Sequence, residues 1–158
     1  MTAEPPRWLT GVEEQAWRGL LSVFERLITR TGQPLQTEYG LSAADYMMLA
    51  ELTRVPGGRL RVLELAKELG WEKSRVSHHM ARMARRGLVD RETCAYDRRG
   101  VYVSVTPAGY EVMSAATRRH ANDVRRLFFD HLTSAQVTQL AEITDTVLDV
   151  LAGLPVRD

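Results

Sequence analysis

The chain has 158 residues, 44% of them apolar and 26% charged. This suits one globular domain and excludes a disordered or fibrous chain. Net charge is only +1, and the single cysteine, Cys94, excludes an internal disulfide; no Cys/His spacing resembles a zinc site, so no metal or other cofactor is expected. Residues Met1 to Arg7 lack the apolar core of a signal peptide, and no apolar run approaches about 18 residues. A cytoplasmic protein with no membrane association is expected.

The first element opens at Thr10, with Glu13 three residues on, the spacing of a capping box. Trp17, Leu20, Leu21, Phe24, Leu27 and Ile28 then recur at helical spacing and predict a helix to about Arg30 with a wide apolar stripe. Thr31 to Gly40 carries Gly, Pro and polar residues and reads as a loop. Ser42 with Asp45 marks a second helix start, continued by Tyr46, Met47, Leu49, Ala50 and Leu52 and ended at Val55-Pro56-Gly57-Gly58. Leu60, Leu63, Leu65, Ala66 and Leu69 predict a short helix that Gly70 stops. A further helix begins near Glu72 and runs to about Arg86, where Gly87 closes it. Two short helices joined by a tight glycine turn make a helix-turn-helix.

Leu88 to Thr93 reads as a strand and Cys94 to Gly100 as a polar hairpin tip. Val101, Val103 and Val105 alternate with Tyr102 and Ser104, a strand with one buried face. Thr106-Pro107 pairs a good N-cap with a proline at the first helical position and opens a long helix to about His131. Thr133 and Gln136 form another capping box. They open a last helix through Val137, Leu140, Ile143, Val147, Leu148 and Leu151, ended by Gly153 and Pro155. The order predicts a mainly α chain with a small β-hairpin wing, that is, a winged helix-turn-helix. Residues 41–106 would form the DNA-binding lobe. Residues 1–40 and 107–158 would form a helical dimerisation region, because their apolar faces have nothing left to cover within one chain.

Charge is unevenly placed. Arg61 to Thr106 holds ten Lys/Arg against six Asp/Glu, while the rest of the chain is net negative. A basic middle third fits a region that faces phosphate, although a solvated charged surface would look the same. The helix after Gly70 is more specific. With Val76 as the buried direction and about 100° per residue, Met80 and Met83 fall on the same side. Ser74, His78, Ala81 and Arg85 fall opposite, flanked by Arg75, Ser77 and Arg82. With Lys73 at its start, this face offers cations, hydroxyls and a histidine and no large apolar side chain. Such a face matches the hydrogen-bonding edges of a major groove. His79 falls at the core edge and reads as a packed histidine. In the wing, Asp97, Arg98 and Arg99 sit at the tip. An arginine there can enter the adjacent minor groove, and Asp97 can hold Arg99 by a charge-assisted bond.

These pieces together resemble the MarR family of multiple antibiotic resistance regulators, over about Thr10 to Leu151. The resemblance rests on Arg61-Val62-Leu63-Glu64-Leu65-Ala66-Lys67-Glu68-Leu69, Lys73-Ser74-Arg75-Val76-Ser77 and Arg86-Gly87-Leu88-Val89. It also rests on Asp97-Arg98-Arg99-Gly100 followed by Val103-Ser104-Val105-Thr106-Pro107-Ala108-Gly109. Val105 stands where the family pattern has Leu. The resemblance implies a bacterial transcription regulator: a homodimer held by its terminal helices, two recognition helices in successive major grooves of a pseudo-palindromic operator, and wings in the flanking minor grooves. It makes Arg99 the minor-groove arginine and Asp97 its orienting carboxylate. It also implies a repressor released by a small aromatic or phenolic ligand. Trp17, Tyr39 and Tyr46 are the candidate pocket residues, although aromatics at helical spacing are more often core than pocket.

Other family members sense oxidants through a cysteine near the first helix; this chain has none there, and Cys94 lies in the wing. Arg118, Arg119, Arg125 and Arg126 could meet a carboxylate ligand or face water. Two rivals stand beside the regulator: a winged-helix protein-interaction module, which would need an apolar patch where Ser74, Ser77, His78 and Arg82 stand, and a non-specific architectural DNA binder. No catalytic set of nucleophile, base and acid is seen, so no enzyme is expected.

Overall fold

A computed structural model of the chain describes residues 8–93 and 100–153. The chain forms two compact units, residues 1–120 and 121–158. The elements in order are α1 (Gly11–Tyr39), α2 (Ala43–Arg54), β1 (Arg59–Arg61), α3 (Val62–Leu69), α4 (Lys73–Arg85), β2 (Val89–Thr93), β3 (Val101–Val105), α5 (Pro107–Leu127) and α6 (Ser134–Ala152). The chain is mainly helical with one small antiparallel sheet, as expected for a winged helix-turn-helix. No helix among the described residues is long and apolar enough to cross a membrane.

The expected capping boxes form at Thr10–Glu13, Ser42–Asp45 and Thr133–Gln136. Each satisfies backbone N–H groups that a helix start leaves without partners. Thr31 to Gly40, expected as a loop, is instead the last part of α1, and Pro34 lies inside the helix. Pro and Gly both cost helix stability locally. Tertiary burial offsets that cost, because Thr31 and Leu35 are buried and the Thr31 hydroxyl donates to the Leu27 carbonyl at 2.8 Å. Gly40 then ends the helix at φ 66°, and the Leu41 N–H returns to the Leu35 carbonyl at 3.0 Å. That turn places Leu35 and Leu41 together in the core.

A second difference lies at Leu60. Arg59–Arg61 is a strand, and α3 starts only at Val62. The sheet runs β1-β3-β2, with Leu60 opposite Val103 and Val89 opposite Val105. A three-residue strand has no periodicity of its own; its partner β3 defines it. The third difference is that α5 stops at Leu127, followed by a 3₁₀ turn at Phe129–His131, because Phe128 leaves helical backbone at φ −132°.

The core of the first unit joins Leu49, Leu52, Val62, Leu65, Val76, Met80, Met83, Val89, Val103 and Met113. Each such buried side chain contributes about 1.5–3 kcal/mol. The junction between the sheet and α5 is tightly specified. The Thr106 hydroxyl donates to the Gly87 carbonyl at 2.6 Å and accepts the Gly109 N–H at 3.0 Å. A Cβ at Gly109 would overlap the Leu88 carbonyl oxygen. The Thr-Pro-x-Gly run therefore reads physically as a cap, a helix start and a close backbone approach.

One buried carboxylate ties three helices together. Asp45 is 1% exposed. Its Oδ2 accepts the Ser42 N–H at 3.2 Å and an Arg86 guanidinium N–H at 3.0 Å. Arg86 also donates to the Gly40 carbonyl, and His79 Nδ1 lies 3.6 Å from the other carboxylate oxygen. Removing one partner of such a pair leaves a buried charge without compensation. Arg86→Ala is expected to destabilise the fold by about 3 kcal/mol, measured by urea unfolding. A loss below about 0.5 kcal/mol, the ordinary range for a surface substitution, would show that Asp45 needs no cation.

Candidate nucleic-acid interface

The helix-turn-helix is built from a short-range turn. Gly70 caps α3 in the left-handed region at φ 62°, and the Trp71 N–H bonds back to the Ala66 carbonyl at 2.9 Å. Four residues after Gly70, α4 is under way with Val76, Met80 and Met83 buried against the core. These are the three residues that the helical wheel placed inward. Lys73, Ser74, Arg75, His78, Ala81, Arg82 and Arg85 are exposed, and Ser77 is half-buried. Every recognition-helix candidate therefore belongs to one continuous helix of 13 residues, about 20 Å long. Within it stand four cations and no carboxylate. His79 is the packed histidine expected at the core edge, facing Asp45.

Asp97, Arg98 and Arg99 lie outside the described residues, as does Cys94. The base of the wing is described. The strand register sets Arg61 and Glu92 on either side of Tyr102. The Arg59 guanidinium stacks 3.9 Å from the centre of the Tyr102 ring and bridges to Glu92 at 2.8 Å. Arg61 Nε donates to the Tyr102 hydroxyl at 2.9 Å. This cross-strand ladder has no signature in the sequence, because Arg59 and Arg61 share a face only once residues 59–61 are a strand.

The ligand-pocket candidates separate. Trp17 is 54% exposed on α1 and flanks a shallow apolar groove with Leu9, Ala16 and Leu20. Tyr39 and Tyr46 pack against the core. Along α1 Trp17 and Tyr39 are about 33 Å apart at the helical rise, so one chain does not gather all three. Tyr46 stacks at 4.5 Å on the His120 ring. Of the arginines considered for a ligand carboxylate, Arg119 pairs with Glu38, Arg126 with Asp123 and Arg125 with Asp130.

A sequence model of the MarR family matches residues 39–100. Similarity to solved structures extends over nearly the whole chain. AbsC, a MarR family transcriptional regulator from Streptomyces coelicolor, is 37% identical over 94% of this chain and 100% of its own, with a TM-score of 0.86. Sco3205, from the same organism and solved in complex with DNA, is 36% identical over 98% of this chain and 95% of its own, with a TM-score of 0.89. The chain belongs to the MarR family. The MarR fold also reaches a more distant structure, the organohalide-sensing RdhR-CbdbA1625 regulator in its 2,4-dichlorophenol-bound form. It is 16% identical over 96% of this chain and 89% of its own, with a TM-score of 0.81. In this MarR protein the matched segment runs from the last residue of α1 to the residue before β3, and so includes the whole of α4.

Burial raises the Tyr46 phenol above its ordinary pKa of 10.0, and a hydrogen bond to Thr117 opposes the shift in part. The neutral phenol is the form the fold favours. This contribution to stability is complete below pH 10 and is lost as pH rises through the raised value. In an ultraviolet titration the late ionisation expected of the Tyr46 phenol should be absent in Tyr46→Phe. A late component that persists in that variant would assign the shift to another tyrosine.

Proposed function

We propose that this MarR protein is a homodimeric transcriptional repressor that binds a pseudo-palindromic operator in the bacterial cytoplasm. The observation that carries the reading is the outer face of α4. It presents Lys73, Arg75, Arg82 and Arg85 with Ser74, Ser77 and His78, and no carboxylate or large apolar residue interrupts it. The cations supply phosphate contacts and hence salt-dependent affinity; the hydroxyls and His78 help to read base edges. In the wing, Arg99 enters the minor groove and Asp97 orients it, with Arg98 beside them. The DNA-bound state of Sco3205 supports the same use of this fold.

The dimer uses residues 1–40 and 107–158, with 41–106 as the DNA-binding lobe. Support comes from apolar side chains that a monomer leaves in water. Trp17, Leu20, Leu21 and Phe24 are exposed on α1, and Ile143, Val147, Leu148 and Leu151 on α6. Release by a small aromatic or phenolic ligand beside Tyr39 and Tyr46, with Trp17 of the same chain too far along α1 to join them, draws support from the dichlorophenol-bound relative of the same fold. The ligand would favour a dimer whose recognition helices no longer match the half-site spacing. A panel of phenols and aromatic acids that leaves both Tm and operator affinity unchanged would remove that release step.

Iterative selection from randomised duplex DNA should enrich an inverted repeat with half-sites about 34 Å apart. Arg99→Ala should weaken binding to it by about 1 kcal/mol or more. Only sequence-blind, salt-sensitive binding would replace the repressor with an architectural DNA binder, and no binding by a folded dimer would leave the protein-interaction module. Sedimentation should give a dimer that Phe24→Glu or Leu148→Glu converts to monomer; a monomeric parent chain would end the dimer reading.

A further inference from the structure

Trp71, two residues before α4, has an exposed arginine stacked on it. Trp71 is half-buried, its ring packed against the core, and its backbone is fixed by the bond to Ala66. Arg75 stands four residues on, in the first turn of α4. Helical side chains lean toward the N-terminus, so residue i+4 reaches back over residue i. The Arg75 guanidinium accordingly lies 3.9 Å from the centre of the Trp71 ring. His79, a further four residues along, meets the same indole at 5.8 Å between ring centres. Among the described residues no carboxylate forms an ion pair with Arg75.

Stacking on an indole engages the flat face of a guanidinium and leaves its in-plane N–H donors available. An exposed arginine held by a carboxylate would have those same donors occupied. We propose that Trp71 is a positioning residue for operator recognition: its indole holds the Arg75 guanidinium so that the N–H edge is presented to DNA. The inference rests on the reading of α4 as the recognition helix and adds to it a residue outside the helix. An arginine that is already ordered loses less side-chain freedom on binding, so Trp71 acts on affinity through Arg75 without touching DNA itself.

The test is a double-mutant cycle on the full chain with the selected operator, using W71L, R75A and the pair. W71L is expected to weaken operator binding about fivefold, the scale of a cation–π contact at a partly desolvated site. In the R75A background the same change should cost less than about twofold, because the group it positions is gone. W71F, which keeps an aromatic face, should recover most of the loss. Where W71L does not fold, W71M fills comparable volume without a π face and takes its place in the cycle. An equal loss with and without Arg75 overturns the proposal, since Trp71 would then act only through stability. Binding unaffected by R75A but weakened by R82A also overturns it, and leaves the reading of α4 intact. Failure of the parent chain to bind any selected duplex brings down the DNA reading and this inference together.

Discussion

The Asp45 carboxylate is the constraint on which the DNA-binding lobe depends. It lies out of water, and a buried charge must be neutralised or fully hydrogen-bonded. Its neutraliser is Arg86, the C-cap residue of α4. Because Arg86 also reaches the Gly40 carbonyl at the end of α1, three helix ends are brought to one point. The start of α2, the end of α1 and the end of α4 can move apart only by exposing or orphaning that charge. The angle at which α4 leaves the lobe is therefore an electrostatic property as much as a packing one.

The strand after α4 is fixed by different means. Leu88 and Val89 follow Gly87 directly into the core, and Thr106 and Gly109 clamp the same backbone from the start of α5. On the outer side of the sheet, Tyr102 is held between Arg59 and Arg61. The hairpin thus rises from a base fastened on both faces. A rigid scaffold beneath an exposed polar surface is what recognition needs, since each side chain ordered in advance lowers the cost of association.

Much of this was legible in the sequence, for a physical reason. Capping boxes and helix-stop glycines act within four residues, so Thr10, Ser42, Gly70 and Thr133 announce their elements without tertiary help. The inward set Val76, Met80 and Met83 follows from the helical period alone. What failed did so where long-range packing outweighs local preference. Gly32 and Pro34 read as loop punctuation, but burial of Thr31 and Leu35 carries the helix through them. Leu60 fits a helical pattern, but pairing with Val103 makes it a strand. The capping-box spacing shows only half of what Asp45 does, because its cation comes from a residue 41 positions away. Trp71 has no signature in the sequence, because its partner Arg75 lies across an element boundary, beyond the reach of helix periodicity and turn chemistry.

A net charge near zero is compatible with a DNA-binding role once the cations are sorted by how they are held. Arg86 is committed to the buried Asp45 carboxylate, so it adds to the basic count of the middle segment without being free to neutralise phosphate. Lys73, Arg75, Arg82 and Arg85 project from α4. Within that group the geometry is unequal. A solvated arginine adapts to phosphates in many registers and so contributes affinity with little discrimination. An arginine whose plane is set by a ring meets only those acceptors that its fork can reach, and a bidentate match to one base edge excludes others. On the reading of α4 as the recognition helix, sequence discrimination is then concentrated at its first turn, beside Trp71, while the arginines of its last turns serve mainly to hold the helix on the backbone.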